Sequence, residues 1–251
     1  MPPHPADTKS QAAEYRPRRF ERHLRHLVGR AIGENKMIFD GDTIAIGVSG
    51  GKDSLVLARF LADLRRRAPI KFTLGAIHLG ADESGAMARW LGGLKLDFMH
   101  IEPAPVIKEI ENYQPGGPSP CFICAQARRA RLFTLCREFR AGRLALGHHM
   151  DDAIETLLMN IFFSGRIDGI KARQDIFNGE LSIIRPLFLA PEKLIIEAAA
   201  NWALPVAPKN CPADGLTSRQ TAKNLVAEMV AKQPKVYGNL MSAAISAQKL
   251  H

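Results

Sequence analysis

Cysteine is scarce, with four in 251 residues. That is too few to staple a chain of this length through disulfides, so a reducing cytosol is the expected setting. Long apolar runs are missing as well. Charges interrupt every hydrophobic stretch short of the ~18 residues that a membrane-spanning helix needs, so no membrane partner is expected. The residues from Met1 to Gln11 are polar and proline-containing, without the apolar stretch of a secretory leader. There is no internal repeat and no low-complexity tract. With 46% hydrophobic and 24% charged residues, wholesale disorder is excluded, and one domain with appendages or two small domains is the expected range.

Acidic residues are also in short supply. Lys and Arg number 34 against 25 Asp and Glu, a net charge of +9, which suits a polyanion such as nucleic acid or anionic lipid. The excess is clustered. Arg128, Arg129, Arg131, Arg137, Arg140 and Arg143 stand against the single acid Glu138, and Arg16, Arg18, Arg19, Arg22 and Arg25 form a second group. The guanidinium fork matches phosphate oxygens.

Apolar spacing organises the rest. Residues 1–18 read as a disordered arm. Phe20, Leu24, Leu27, Val28, Ala31 and Ile32 predict an amphipathic helix with a basic face within 19–42. From 43 to 205 strands (43–48, 72–78, 98–101, 144–146, 181–184) alternate with helices (53–67, 125–140, 151–163, 192–202). That order predicts an α/β domain, a doubly wound parallel sheet with its ligand site at the carboxyl ends of the strands. Residues 206–251 form a C-terminal extension, a cysteine-bearing loop followed by helices at 218–232 and 236–247.

The first strand ends in Ser49-Gly50-Gly51-Lys52-Asp53-Ser54. A P-loop fails here, because Ile46 and Asp53 occupy its first glycine and its Ser/Thr position. A nucleophile elbow through Gly47, Ser49 and Gly51 is matched formally, yet after His149 the only histidine is the terminal His251. The third reading fits best. Paired glycines let the backbone approach a pyrophosphate, and the N–H groups opening the next helix bind the anion. Ser49 and Ser54 add hydroxyls, Lys52 a point charge, and Asp53 either a contact to Mg²⁺ or a helix cap. His78 ends the neighbouring strand, where it could touch a nucleotide. Gly147-His148-His149-Met150-Asp151-Asp152 lies at another strand-to-helix junction, where the aspartates suit either function or capping.

The cysteines divide. Cys121 and Cys124 form a C-x-x-C, read as a loop before the arginine-rich helix, and Cys211 lies in the late loop. A single C-x-x-C serves a redox pair, half a zinc site or part of an iron–sulfur site. Cys136 shares a helical face with Leu132, Leu135 and Phe139 and belongs to the core.

These motifs, in this order, resemble the tRNA 2-thiocytidine synthetase (TtcA-type) family of PP-loop ATP pyrophosphatases. The likeness runs over roughly 19–246 and includes Ile184-Arg185-Pro186-Leu187. The resemblance implies a PP-loop fold with ATP held by Ser49, Gly50, Gly51, Lys52, Asp53, Ser54, His78, Gly147, His148, Asp151 and Asp152. It also implies Mg²⁺, with Asp53 as a contact, and a [4Fe–4S] cluster on Cys121, Cys124 and Cys211, with tRNA met by Arg128, Arg129 and Arg131. Lys52, Asp53 and the three cysteines would be catalytic. The implied reaction is thiolation of an anticodon-loop cytidine by a cytoplasmic homodimer, with sulfur from a donor such as a cysteine desulfurase. Two features depart from the family. Cys211 stands alone where a second C-x-x-C is usual, and the 79–98 stretch is short. Other readings remain open at this point: a PP-loop enzyme for another nucleoside or small molecule, or a zinc-stabilised module using the same cysteines with His148 or His149.

Overall fold

A computed structural model describes residues 18–82, 84–103, 120–207 and 218–248. Its first helix, α1 (Arg19–Glu34), buries Phe20, Leu24, Val28 and Ala31 on one side. Glu21 on that side accepts hydrogen bonds from the Arg18 N–H (3.2 Å) and the Trp202 indole (2.8 Å), which ties the helix start to the far end of the domain. The chain then alternates: β1 (Thr43–Val48), α2 (Lys52–Arg65), β2 (Thr73–Leu79), α3 (Ala86–Gly93), β3 (Phe98–Glu102), α4 (Pro120–Glu138), β4 (Arg143–Ala145) and α5 (Met150–Ser164). It continues with β5 (Arg173–Ile176), β6 (Leu181–Ile184), α6 (Glu192–Asn201), α7 (Ser218–Lys232) and α8 (Lys235–Ala247).

The six strands lie in the order β3-β2-β1-β4-β6-β5. Every pair is parallel except β5 with β6. Alternation along the strands sorts side chains to two faces. Ile44, Ile46 and Val48 of β1, with Leu74 and Ala76 of β2, join the large core that contains α1, α2, α5 and α6. Ala45, Ile77, Leu79 and Leu144 face the other way, under Leu135 and Cys136 of α4. The extension α7–α8 packs against α5. No helix among the described residues is long and apolar enough to cross a membrane.

The expected doubly wound sheet is present, and three local expectations change. Helix α4 begins at Pro120 rather than near residue 125, so Cys121 and Cys124 lie in its first turn and not in a loop before it. Proline, which argued for loop, suits a first helical position because the N–H it lacks has no partner there. Strand β5 carries Arg173 and Asp175, charges that mark a sheet edge and hide the strand from a hydrophobicity pattern. The short 79–98 stretch contains α3, whose first turn is held by Asp82 accepting from Met87 N–H (3.0 Å) and Ala88 N–H (2.9 Å). Residues 1–17, most of the expected arm, and the late cysteine loop with Cys211 lie outside the described residues.

Candidate active site

The strand order reverses at β1. The chain proceeds from β1 to β2 and β3 on one side, then returns to place β4 on the other. Loops leaving neighbouring strands in opposite directions open a crevice at their carboxyl ends, where α/β sheets bind ligands. Both predicted nucleotide motifs line it: residues 49–54 follow β1 and residues 147–152 follow β4.

The first motif is held from within. Ser49 N–H donates to Ser54 Oγ (3.1 Å), the Ser54 hydroxyl donates to the Gly51 carbonyl (2.9 Å), and Gly51 N–H donates to Ser49 Oγ (3.3 Å). The buried Ser54 therefore braces the turn rather than offering a free hydroxyl. Gly50 has φ +83°, a left-handed conformation that suits glycine. Gly51 caps α2, leaving the N–H groups of its first turn for an anion. The two motifs touch. A Cβ on Gly147 would lie 2.9 Å from the Asp53 carbonyl carbon and the Ser54 nitrogen, so only glycine lets the second loop close on the first.

At that contact the structure brings forward His149, which the sequence reading leaves out of the ATP-binding set and names only as a possible zinc ligand. It is 4% exposed, with Nε2 3.6 Å from Asp53 Oδ1 and 3.5 Å from Asp152 Oδ2, and Nδ1 3.7 Å from Asp151 Oδ2. Its backbone N–H donates to Asp152 Oδ2 (2.9 Å). His148 turns away instead, and its Nδ1 accepts from Arg185 Nε (3.3 Å). Burial, with the adjoining Arg185 cation, holds its pKa down at about 4, so the ring is neutral. His78 donates from Nδ1 to the Val48 carbonyl (2.8 Å), bracing the end of β1. Among the described residues Asp53 Oδ1, His78 Nε2 and His149 Nδ1 are buried with no hydrogen-bond partner. Asp53 Oδ1 has the Lys52 ammonium 3.1 Å away as a counter-charge, whereas each of the two ring nitrogens costs about 1–3 kcal/mol unless a ligand meets it, and all three atoms lie around this crevice. The residues present therefore fit a nucleotide and its cation.

Lys52 is not free. Its Nζ lies 3.1 Å from Asp53 and 2.9 Å from Glu192, and Glu192 also takes Lys223 at 2.8 Å. Burial would lower the Lys52 pKa, yet the Glu192 and Asp53 carboxylates outweigh it and raise it. Burial works against Glu192 too, but the two lysines hold its carboxyl at about 2. Asp151 Oδ2 accepts from the Glu192 N–H (2.6 Å) and the Tyr237 hydroxyl (3.1 Å). A cavity of about 260 Å³, lined in part by Glu155, Glu192, Lys223 and Tyr237, lies behind. Lys223 and Tyr237 come from the extension, so α7 and α8 build the same site as the sheet. No local pattern pairs Glu192 with a lysine 140 positions away.

The arginine cluster divides. Arg128 and Arg129 are exposed on α4. Arg131 is not brought to a free surface: its Nε and Nη2 donate to Glu102 at the end of β3 (2.6 and 2.7 Å). Through that fork, partly offset by burial, Arg131 pulls the Glu102 carboxyl down to about 2. Cys121 and Cys124 share the opening turn of α4, and the Cys124 thiol is half-buried and unpaired by disulfide. Cys136 is buried in the apolar cluster under α4, and burial pushes its thiol up to about 12, so it sits in the core as an uncharged thiol. Among the described residues no group of three or more His, Cys, Asp or Glu is arranged to hold a metal ion. Two thiols one turn apart at a helix start fit a thiolate-held cluster in donor chemistry, with Cys211 beyond the described residues.

Comparison with known proteins follows the same lines. The PP-loop domain family matches residues 18–205. The tRNA-cytidine(32) 2-sulfurtransferase of Pelobacter propionicus is 37% identical over 239 residues, covering 92% of this chain and 87% of that protein. Its namesake from Geobacter sulfurreducens is also 37% identical, covering 88% of each. The U34-tRNA thiolase NcsA from Methanococcus maripaludis, solved with its [4Fe-4S] cluster, shares the fold with a TM-score of 0.73 at 21% identity, over 92% of this chain and 80% of its own. Two nucleotide motifs in contact at a sheet reversal, a C-x-x-C helix start and this extent of likeness agree, and the chain belongs to the PP-loop tRNA-cytidine 2-sulfurtransferase (TtcA-type) family.

Proposed function

We propose that this protein is an ATP-dependent, iron–sulfur-dependent tRNA thiolase that converts an anticodon-loop cytidine to 2-thiocytidine. The single observation that carries the ATP half is the contact between the two loops, with Gly147 against Asp53 and Ser54 at the sheet reversal. The relatives' activity supports the tRNA half.

The cytosine C2 oxygen is a poor leaving group, so the reaction begins by making it a phosphate ester. The oxygen attacks the α-phosphorus of ATP, the α–β bridging bond breaks, and pyrophosphate leaves. Gly50, Gly51 and the first turn of α2 receive the departing phosphates, with Lys52 matching their growing charge. Asp53, a carboxylate at the crevice beside Lys52, is the assigned contact for a hydrated Mg²⁺. Ser49 and Ser54 keep the turn in shape, while Asp151 and Asp152 hold α6 and His149 in place. Sulfur then replaces the activated oxygen at C2, and AMP leaves carrying that oxygen. Cys121, Cys124 and Cys211 are the protein ligands for a [4Fe–4S] cluster, which when bound would supply an iron open to exogenous sulfur. Arg128 and Arg129 meet tRNA phosphates.

The chain works in the cytoplasm, taking sulfur from a donor such as a cysteine desulfurase. The domain 43–205 carries the nucleotide and the C-x-x-C, and 206–251 completes the site. A homodimer suits the apolar end of α5 and the loop after it, where Phe162, Phe163 and Ile167 are 53%, 60% and 63% exposed.

Lys52→Ala and Asp53→Ala should each abolish tRNA-dependent pyrophosphate release while leaving the melting temperature within a few degrees. Near wild-type turnover in either variant removes the assignment. Binding of tRNA should weaken steeply with salt, and a flat response would favour a small-molecule substrate.

A further inference from the structure

Beyond β4, on the side away from the PP-loop, the protein buries a cation that ATP binding as described does not use. Arg185 follows Ile184, the β6 residue paired with Ala145 of β4. It is 8% exposed. Its Nη1 donates to the Lys171 carbonyl (2.6 Å) and its Nε to His148 Nδ1 (3.3 Å). Among the described residues no carboxylate lies within ion-pair distance of it.

Burying a guanidinium costs several kcal/mol unless an anion or a full set of acceptors compensates. Among the described residues one carbonyl and one neutral imidazole use two of the five N–H groups that arginine carries, and the rest of the fork is not sealed from solvent. Neighbouring charge does not make up the difference. Arg129 from α4 acts on Arg185 with the same sign, and Asp152 is the acid that opposes it. Asp152 is already engaged by the His149 N–H (2.9 Å) and by Arg219 from α7 (3.6 Å). Burial and Arg129 bring the Arg185 pKa down to about 10, which still leaves it charged at neutral pH. A buried fork with spare donors and surplus positive charge matches a tetrahedral oxyanion.

We infer that Arg185, with Arg129, is a phosphate-binding site beside the second nucleotide loop. His148 fixes the side of the guanidinium it touches and leaves the remaining N–H edge to the phosphate. The inference rests on the proposed reaction, which brings two phosphates to this edge of the sheet. One is the α-phosphate of ATP and the other a backbone phosphate of the RNA strand presenting the cytidine.

Four proteins separate these cases: wild type, Arg185→Lys, Arg185→Met and Lys52→Ala. Each is titrated with α,β-methylene ATP without RNA, and with tRNA without nucleotide at several salt concentrations. Arg185→Met should lose about tenfold or more in one of the two affinities. Arg185→Lys keeps the charge without the fork and should fall between it and wild type. Loss confined to the nucleotide assigns the α-phosphate. Loss confined to tRNA, with the log–log salt slope of Arg185→Met reduced by about 0.7, assigns an RNA phosphate. A purely structural arginine predicts a lower melting temperature with both affinities intact, and that result in the folded lysine variant overturns the inference even if the methionine variant does not fold. Lys52→Ala and wild type report on the parent reading: if wild type binds no nucleotide, the proposed function itself fails.

Discussion

The two ends of α4 are built from one helical stripe and do different work. At the C-terminal end Leu135 and Cys136 are fully buried against Ala45, Ile77 and Leu144 of the sheet. Further up the same stripe, at 4-residue spacing, come Leu132, Arg128 and Cys124. There the side chains emerge: Leu132 and Cys124 are half-buried and Arg128 is exposed. The helix runs antiparallel to the strands, so its first turns reach the carboxyl edge, where the strands stop and the nucleotide loops begin. Anchoring one end in a packed core and leaving the other at the strand ends gives the proposed cluster ligands a rigid mount. The two cysteine environments differ because the sheet ends between them.

Cysteine substitutions test that contrast most severely. Cys121→Ala, Cys124→Ala and Cys211→Ala should each lose the visible iron–sulfur absorption and all thiolation. Cys136→Ala should keep both and lose about 1 kcal/mol of stability, measured by urea unfolding. A full cluster in Cys211→Ala would refute the three-cysteine assignment.

The anchored end should be intolerant of added volume. A Cβ on Gly75 would lie 2.2 Å from the Phe98 ring, which is stacked at 4.7 Å on Phe139, the residue that follows α4, and has nowhere to retreat. Gly75→Ala should destabilise by about 1–3 kcal/mol. A melting temperature equal to wild type would mean that α4 is not seated as described.

The site end should instead be sensitive to acid. The His148 pKa is held at about 4, against an ordinary value of 6.5, so between these values the unfolded chain binds more protons than the folded one. Its contribution is therefore complete above pH 6.5 and is lost as pH falls toward 4, by about 1–3 kcal/mol in all. His148→Gln should flatten the stability profile in that window. A wild-type profile already flat there would contradict a buried neutral ring.

The smallest effect separates neighbouring arginines. Arg128→Ala should lower the salt slope of tRNA binding by about 0.7–0.9 with little change in stability. Arg131→Ala should do the reverse, since its fork holds Glu102 at the end of β3. Equal slopes for the two variants would remove the distinction.

Sequence alone determined the doubly wound sheet, because apolar runs of strand and helix length alternate from residue 43 onward. It also singled out the two loops that the fold brings into contact, because Ser49–Ser54 and Gly147–Asp152 carry glycine, hydroxyl and acid at strand ends. Cys136 was legible as core from its helical face, and burial confirms it. What stayed hidden involves partners far apart in the chain. Local spacing cannot show that Glu192 grips Lys52, that Tyr237 holds Asp151, or that His149 rather than His148 lies among the carboxylates. Nor could it show that Arg131 is spent on Glu102, or that Arg185 is buried with no carboxylate of the described residues within ion-pair distance. Periodicity reports which side of an element is apolar. Which charge meets which is decided when strand order and helix packing bring remote residues together, and in this protein that is where the site is completed.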